Sequence, residues 1–421
     1  MLDKVLSIIN TVVLVIVSST LFVQMIYFFG VFFKSKKYKK ADKYHKFAAV
    51  ICARNEETTI SCLIKSIREN KYPQELIDIF VICHNCTDNT YEVAKKAGAI
   101  CIVANDNTPK RKVKGWAMKY GFHELRKYDH EVYAVFDADN LVDKEFFSKM
   151  NDALCAGIKV CQGFRNSKNI SDNAVTTCNG IYFLRDSAFN NHTKTLIHSS
   201  VQVSGTGYVF KREILDNDEW KALSMVEDAE FSVQYILKDY YAVYVPDAIF
   251  YDEQPTNFFV AMDRHARMGR GVSHVFFKNA HKLLFKFFTT FKIKYIDTFF
   301  NLMIAPASVL SAIWFPFYYI YQPVKMMIAG NYDELRSFLL MVLVSVCLFI
   351  LLPVMLQNAI AYIVNRKKII IKNKFQFILG NLFFPIYNLG VAAAMMIGII
   401  SPKFSWHKKK KKKAIDISEL S

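Results

Sequence analysis

The chain has 421 residues, of which 52% are hydrophobic, 15% aromatic and 22% charged. This composition excludes an intrinsically disordered chain, a collagen-like repeat and a small disulfide-stabilised scaffold. The formal net charge is +17, and it comes from three basic stretches that adjoin long apolar runs: residues 34–46, 366–374 and 403–413. Positive charge in such positions is typical of the cytoplasmic face of a membrane, not of a nucleic-acid-binding surface. We therefore expect membrane lipids as partners and no nucleic acid.

Four apolar runs are long enough to form membrane-spanning helices, for which about 20 residues are needed. They comprise residues 5–33, 297–324, 336–364 and 375–400. The first is too long for the apolar core of a signal peptide and predicts a retained anchor. The predicted organisation is an N-terminal transmembrane anchor (1–33), a basic juxtamembrane linker (34–46), a cytosolic α/β domain (47–280), an interfacial amphipathic helix (281–295), three C-terminal membrane segments (296–402) and a Lys-rich tail (403–421).

Two features of the membrane region leave alternatives open. Residues 281–295 alternate Lys with Leu and Phe, which fits a helix in the membrane interface and equally the cytosolic end of the next span. The basic stretches 34–46 and 366–374 predict that the central domain lies in the cytoplasm of a multi-pass plasma-membrane protein. Four complete spans would then put the Lys run at 408–413 outside, although its charge favours the inside. Either one apolar run is re-entrant or interfacial, or the tail breaks the charge rule.

The central block alternates short apolar strands with amphipathic helices. This alternation predicts parallel βαβ units in a doubly wound, mainly parallel α/β sheet. Ligands of such sheets bind beyond the carboxyl ends of the strands, where this sequence carries polar clusters. The predicted strands are residues 47–52, 77–83, 99–103 and 132–136, and the helices between them begin near Ile60 and span 91–98 and 113–127.

Asp137 and Asp139 follow the fourth predicted strand. Two carboxylates one residue apart can hold Mg²⁺ or Mn²⁺ and leave the other coordination positions to substrate phosphates. Taken alone, the pair is also compatible with two solvated acids on an exposed turn.

Three later segments carry further candidate groups. Gly205 and Gly207 permit close approach of the backbone to a substrate, or form a plain turn. Glu227 and Asp228 open a predicted helix, where the helix dipole favours carboxylates and where one of them could act as a general base. The basic segment 264–270 could clamp a diphosphate or lie against lipid headgroups.

The order of these motifs, from about residue 47 to residue 271, resembles the family 2 inverting glycosyltransferases, specifically the membrane-embedded branch of cellulose, hyaluronan and chitin synthases. The resemblance implies a GT-A fold joined to a helical transmembrane domain. On the donor side, Ala53-Arg54-Asn55-Glu56 and residues 85–90 match two nucleotide-binding loops, and Lys114-Gly115 matches the Lys-Gly that follows them. Asp137-Ala138-Asp139 matches the metal-binding motif. Ser204-Gly205-Thr206-Gly207 matches the acceptor-side loop, and Glu227-Asp228 matches the motif of the catalytic base.

Three positions depart from the family pattern. His84 stands where the family has the Asp that reads the base of the nucleotide. In the segment that corresponds to the QxxRW motif, Arg264 replaces the Gln and Met268 replaces the Trp that stacks on the acceptor, whereas Arg267 matches the Arg. Met offers a softer platform for a sugar than an aromatic ring.

The resemblance also implies roles for individual residues. A Mg²⁺ or Mn²⁺ ion would be held by Asp139 with Asp137, and Asp228, beside Glu227, would remove the proton of the acceptor hydroxyl. Arg267, with Lys114 or Arg264, would stabilise the departing diphosphate. The expected nucleotide-sugar-binding residues are Ala53, Asn55, Glu56, His84, Asn85, Lys114 and Asp137, and the expected acceptor-binding residues are Gly205, Thr206, Gly207, Arg264 and Met268.

The predicted function is transfer of a sugar from a nucleotide-sugar donor, a UDP-sugar such as UDP-glucose, to a growing β-linked polysaccharide that is exported through the membrane. The nearer alternative is transfer of a single sugar to a polyprenyl phosphate or a glycerolipid, which residues 281–295 and Met268 favour. The alternative from another class is a non-catalytic membrane transporter or binding protein. The sequence specifies neither the donor sugar nor the oligomeric state.

Overall fold

The computed structural model describes residues 2–106, 108, 113–215, 217–401 and 415–420. Within them the central block contains β1 (Phe47–Ala53), β2 (Ile77–His84), β3 (Ile100–Ala104), β4 (Val132–Asp137), β5 (Leu141–Val142), β6 (Val160–Ser167), β7 (Tyr208–Lys211) and β8 (Ala242–Asp252). These strands form one eight-stranded sheet in the order β3-β2-β1-β4-β7-β6-β8-β5. The four strands predicted from the sequence are β1 to β4 and are confirmed.

The sheet is mixed rather than mainly parallel. β1 pairs in parallel with β2 and β4, and β2 pairs in parallel with β3. β7 runs antiparallel to both β4 and β6, and β5 runs antiparallel to β8. The helical crossovers of the first half impose parallel pairing, whereas the long connection from Ser167 to Tyr208 is compatible with either direction. The predicted parallel arrangement therefore holds for β1 to β4 and for the pair of β6 with β8, and it is wrong for β7 and for the pair of β5 with β8.

Apolar side chains cover both faces of the sheet. In β1, Phe47, Ala49 and Ile51 pack into one core cluster, and the alternate residues Ala48 and Val50 pack into the other. All five are fully buried, as expected of a central strand covered on both sides. The helices of this block are α2 (Ile60–Arg68), α3 (Thr90–Lys96), α4 (Lys114–Leu125), α5 (Phe146–Cys155), α6 (Ala174–Arg185), α7 (His192–Leu196) and α8 (Glu227–Leu237).

In the part of the chain that the structure describes, three helices are long and apolar enough to cross a membrane, judged by length and composition: α1 (Leu2–Gly30), α10 (Ile293–Ile328) and α13 (Lys374–Ile400). The predicted run 336–364 forms an interrupted helix instead, in which α11 (Tyr332–Val346) and α12 (Leu352–Asn365) are joined by a π-helical turn at Cys347–Leu351. Pro353 stands at the start of α12 and has no N–H to donate, which removes one bond of the α-helical ladder at this turn.

Residues 281–290 form the last turns of a continuous helix, α9 (Phe258–Thr290), and residues 293–295 already belong to α10. The segment predicted as one interfacial helix, 281–295, is therefore divided between two helices. The chain turns at Phe291, which adopts a left-handed backbone conformation with φ of 53°. Of the predicted Lys-rich tail, residues 403–414 and 421 lie outside the described residues.

The buried amide of Asn151 attaches the end of the basic segment 34–46 to α5. Asn151, which is 1% exposed, donates to the carbonyl oxygen of Lys43 at 2.7 Å. Its side-chain oxygen accepts from the backbone N–H of His45 and from the hydroxyl of Tyr72, both at 3.1 Å. The segment is thus a fixed part of the domain at its carboxyl end.

We expect Asn151→Ala to lower the free energy of unfolding by about 2 kcal/mol, because buried partners of the amide would lose their hydrogen bonds. Urea unfolding of the purified protein in detergent would measure this loss. Asn89→Ala is the matched control, because Asn89 is exposed and its side chain makes no capping bond to α3. Equal losses in the two variants would contradict the prediction.

Candidate active site

The side chains of two asparagines connect the loops that follow β1, β2 and β3 by hydrogen bonds. Asn55 accepts from the N–H of Thr87 at 2.8 Å, and Asn85 both accepts from and donates to the backbone of Asp106 at 2.8 Å. Both asparagines are left-handed, with φ of 58° and 51°, a conformation that Asn tolerates better than most residues. Their side chains therefore position the loops in which the nucleotide-binding residues were predicted.

The other residues of these loops that were predicted to bind the nucleotide sugar lie at the ends of the same strands or just after them. Ala53 and His84 end β1 and β2 and are 1% and 6% exposed. The N–H of Glu56 donates to the hydroxyl of Thr90 at 2.8 Å, which ties the first loop to the start of α3. The structure thus brings the two predicted nucleotide-binding loops together at the carboxyl end of the parallel strands.

The ammonium group of Lys114 joins three of the predicted motifs. Its Nζ lies 2.6 Å from Oδ1 of Asp137, 2.7 Å from the carbonyl oxygen of Gly205 and 3.6 Å from Oε1 of Glu227. Burial opposes the charge of Lys114, but Asp137 and Glu227 outweigh it, so that the pKa of Lys114 is raised. Burial raises the pKa of Glu227 to about 7.

The turn that carries Asp137 and Asp139 is held by a polar network. The N–H of Asp137 donates to Oγ1 of Thr206 at 2.9 Å and to Oδ1 of Asn140 at 3.1 Å, and the Thr206 hydroxyl donates to the same Asn140 oxygen. Asn140 in turn donates to Oδ1 of Asp252 on β8 at 3.0 Å. The aspartate motif, the acceptor-side loop and β8 are therefore rigidly connected.

The donor set of Asp137 and Asp139 fits a divalent cation that keeps most of its coordination positions for other ligands. Both side chains offer only carboxylate oxygens, the donors that Mg²⁺ and Mn²⁺ prefer. Among the described residues no group of three or more His, Cys, Asp or Glu side chains could hold a metal ion. A cation held by Asp137 and Asp139 would leave its other coordination positions open to substrate and water.

Asp228 faces the acceptor-side loop from the start of α8. Its Oδ1 accepts from the N–H of Ala229 at 2.8 Å, and a Cβ atom on Gly205 would lie 3.1 Å from its Oδ2. Burial raises the pKa of Asp228, although this N–H and the charges of Lys114 and Arg267 act in the opposite direction. A carboxylate with a raised pKa, directed at a glycine turn, is suited to accept a proton.

Two guanidinium groups lie over the ring of Phe183 at this edge. Arg165, on β6, is 4.0 Å from the ring centroid, donates to Oδ2 of Asp252 at 3.0 Å through Nε and donates to the carbonyl oxygen of Ser204 at 3.0 Å. Arg264, on α9, is 5.7 Å from the same centroid, and burial together with the charge of Arg165 lowers its pKa. The arrangement concentrates positive charge beside the carboxylates, where a diphosphate could bind.

The remaining predicted acceptor-binding residues differ in their surroundings. Gly207 has φ of 63° and is packed so tightly that a Cβ atom would lie 2.1 Å from the ring of Phe250. The carbonyl oxygens of Thr206 and Gly207 both accept from the amide of Gln162 at 3.1 Å. Gly207 therefore shapes the loop, whereas Gly205 faces the carboxylate. Met268 is half-buried on α9.

Sequence reasoning did not single out Arg165, Asn140 or Gln162. The signal in the sequence was the presence of Gln162 and Arg165 in the strand-like segment that forms β6, every residue of which the structure buries. Polar side chains in an otherwise strand-like run indicate internal partners. Those partners come from β8 and from the loop before β7, which are distant in the sequence.

Comparisons with known proteins identify the family and the fold of the central block. The family model described as "Glycosyltransferase like family 2" matches residues 45–271, more than half of the chain. The "Probable glycosyltransferase YdaM" of Bacillus subtilis (strain 168) is 25% identical over 271 residues, which cover 58% of this chain and 62% of that protein, so the match spans less than two thirds of the relative.

One of the similar solved structures shows the same fold. The mannosyltransferase PcManGT of Pyrobaculum calidifontis, determined with GDP-Man and Mn²⁺, is 14% identical with a TM-score of 0.52, covering 92% of this chain and 99% of that one. S. aureus TarS 1-349 is 15% identical with a TM-score of 0.39, covering 70% and 90%. The central block is thus a GT-A-like α/β domain with a mixed sheet, and the chain belongs to glycosyltransferase family 2.

Proposed function

We propose that this glycosyltransferase moves a sugar from a nucleotide-sugar donor to an acceptor hydroxyl in a single inverting step. The observation that carries the proposal is the position of Gly205. Its carbonyl oxygen is bonded to the Lys114 ammonium that also binds Asp137, and its α-carbon faces the carboxylate of Asp228. The predicted donor side and the predicted base therefore meet at one glycine.

In this step the acceptor oxygen attacks the anomeric carbon of the donor, and the bond from that carbon to the diphosphate breaks. The diphosphate leaves with the electron pair, and Asp228 receives the hydroxyl proton. Glu227 is less suited to this task because its carboxylate faces Lys114 at 3.6 Å. Arg267, with Lys114 and Arg264, supplies positive charge for the departing diphosphate.

The donor is proposed to be a UDP-sugar such as UDP-glucose. Asp137 and Asp139 would hold Mg²⁺ or Mn²⁺, which when bound neutralises charge on the diphosphate. Asn55 and Asn85 keep the two nucleotide loops in register through their bonds to Thr87 and Asp106. Ala53, Glu56 and His84 would line the site of the nucleotide.

The proposed acceptor is a growing β-linked polysaccharide at the cytoplasmic face of the plasma membrane, with export of the product through the apolar helices. A specific observation favours a second candidate, a membrane lipid acceptor such as a polyprenyl phosphate or a glycerolipid. Arg264, Arg267 and Met268 belong to α9, which leads directly into the apolar α10 and offers no aromatic ring at position 268. The two candidates differ in product size and solubility.

Release of nucleoside diphosphate from a panel of nucleotide sugars, with Mn²⁺ or with EDTA, tests the activity. We expect metal-dependent release, and a loss of kcat of about 10²–10⁴-fold in Asp228→Asn, because the general base is removed. Asp129→Asn is the control, since the exposed Asp129 forms an ion pair with Lys46 at the protein surface. A product that linkage-specific glycosidases digest indicates a polysaccharide, and one extracted into organic solvent indicates a glycolipid.

Gly205→Ala should lower kcat by about 100-fold, because the new Cβ would meet Oδ2 of Asp228 at 3.1 Å and displace the carboxylate. Gly98→Ala is the matched control: Gly205 and Gly98 have φ of 79° and 87°, but nothing lies within 4 Å of a Cβ at Gly98. Both variants should lose about 1 kcal/mol of unfolding free energy from backbone strain. A fully active Gly205→Ala enzyme would refute the assignment.

The pH profile of kcat/KM tests the role of Asp228 through the position of its acid limb and not through the size of a rate loss. Activity requires the ionised carboxylate, so the acid limb should lie above the ordinary carboxyl pKa of 3.8. Arg267 lowers the pKa of Asp228, so Arg267→Gln should move this limb to higher pH. Arg270→Gln, on the same helix but bonded to the carbonyl oxygen of Ser401, should leave the limb in place. A limb that is the same in all three proteins would contradict the role of Asp228.

A further inference from the structure

The start of α13 is attached to the catalytic domain. Oγ of Ser171, next to β6, accepts from the N–H groups of Lys372 and Asn373 at 3.0 and 3.1 Å. In the same loop, Nζ of Lys368 donates to the carbonyl oxygen of Pro246 at 2.6 Å. Residues 366–373 therefore lie on the same side of any membrane as the catalytic domain.

The middle and the end of α13 also contact this domain. A Cβ atom on Gly380 would lie 2.3 Å from the side chain of Thr177 on α6, and the hydroxyl of Tyr387 donates to Asn179 on the same helix at 3.1 Å. At the far end, Arg270 of α9 donates to the carbonyl oxygen of Ser401 at 3.1 Å. Contact with α6 and α9 thus continues along the whole helix.

α9 cannot itself cross a membrane, because charged residues recur along its length, each of them costly in lipid. They are Asp263, Arg264, Arg267, Arg270, Lys278, Lys282 and Lys286. A helix of 27 residues is about 40 Å long, so if α13 crossed the membrane its last turn would lie at the opposite surface. The contact between Ser401 and Arg270 places that turn against α9 instead.

The opposite face of α13 is apolar and exposed. Ile378, Leu382, Ile386 and Leu389 follow each other at helical spacing, and their exposed fractions are 58%, 62%, 62% and 71%. The stripe continues at Phe375, Ile397 and Ile400, which are also exposed. Basic stretches flank the helix in the sequence, at 366–374 before it and 403–413 after it. An apolar stripe between basic segments is typical of a helix that lies in the interface of an anionic lipid leaflet.

We propose that α13 lies along the cytoplasmic membrane surface with this stripe in contact with phospholipid, although its length and composition would allow it to cross. The crossing segments are then α1, α10 and the α11–α12 pair. This inference rests on the membrane location given in the proposed function. It puts both ends of α13 and the Lys-rich tail on the side of the catalytic domain, in agreement with the charge of the tail.

The C-terminal residues support this topology independently. Asp416 forms an ion pair with Lys65 of α2, with Oδ2 2.6 Å from Nζ. Leu420 is 4% exposed and packs against Leu141 and Tyr251. Residues beyond α13 therefore contact the same domain as the residues before it.

The depth of α13 in the bilayer tests the proposal. Nitroxide labels would be attached to Cys introduced at Ile378, Leu389 or Ile400 of the full chain, with the exposed Cys155 and Cys347 replaced by Ser, in vesicles that contain anionic lipid. We expect three similar, shallow depths of about 5–10 Å. Leu389 far deeper than the two other positions would show a crossing helix and overturn the proposal.

Leu343 of α11, 61% exposed, is the matched control and should lie deep in the hydrocarbon region. A shallow label at Leu343 would overturn the membrane location itself, and with it the present inference, while leaving nucleotide-sugar turnover to be judged by its own assay. Failure of the topology and failure of the activity are thus separate outcomes.

A second test labels cysteines from outside intact cells, in which the protein remains in its own membrane. Asn331, in the turn between α10 and α11, and Ser401, at the end of α13, would each be replaced by Cys. We expect a membrane-impermeant maleimide to label Asn331→Cys in intact cells and Ser401→Cys only after permeabilisation. Labelling of Ser401→Cys in intact cells would overturn the proposal.

Discussion

The candidate active site depends on the contacts that the ammonium group of Lys114 makes with three separate segments. Asp137, Gly205 and Glu227 come from three separate segments, and all three lie within 3.6 Å of this one cation. Carboxylates brought together at a sheet edge repel one another, and burial increases that repulsion because the surrounding dielectric constant is low. A half-buried cation among them stabilises the cluster in the absence of substrate, and its three contacts also set the spacing of the loops.

A second layer of polar contacts holds these loops to the sheet. Asp252 on β8 binds both Arg165 on β6 and Asn140 beside the aspartate motif, and Asn140 binds Thr206. The antiparallel insertion of β7 between β4 and β6 is what brings the acceptor-side loop into this network. The mixed sheet is therefore a requirement of the site, since β7 starts where the loop ends and β4 ends at Asp137.

The site is also connected to the apolar helices. α9 carries Arg264 and Arg267 near its beginning, and its later turns lead to α10. On its other side α9 packs along α13, where a Cβ atom on Gly398 would lie 2.0 Å from the carbonyl oxygen of Ala266. Only glycine permits this close approach of the two backbones. With α13 at the membrane surface, the guanidinium groups of α9 are one helix away from lipid, which suits an acceptor that enters or leaves through the membrane.

The sequence by itself determined the features that depend on local pattern. Apolar length predicted α1, α10 and α13, and alternation of strands and helices predicted β1 to β4. Residue type at a strand end predicted Asp137 and Asp139, and residue type at a helix start predicted Asp228. The tertiary structure alone decided the direction of β7 and the contacts of both ends of α13 with the catalytic domain. It also decided the participation of Arg165 and Asn140 in the polar contacts that hold the loops of the site to the sheet. These features arise from contacts between segments far apart in the chain. An apolar helix of given length has the same sequence pattern whether it crosses a bilayer or lies along a protein surface, and only its neighbours distinguish the two.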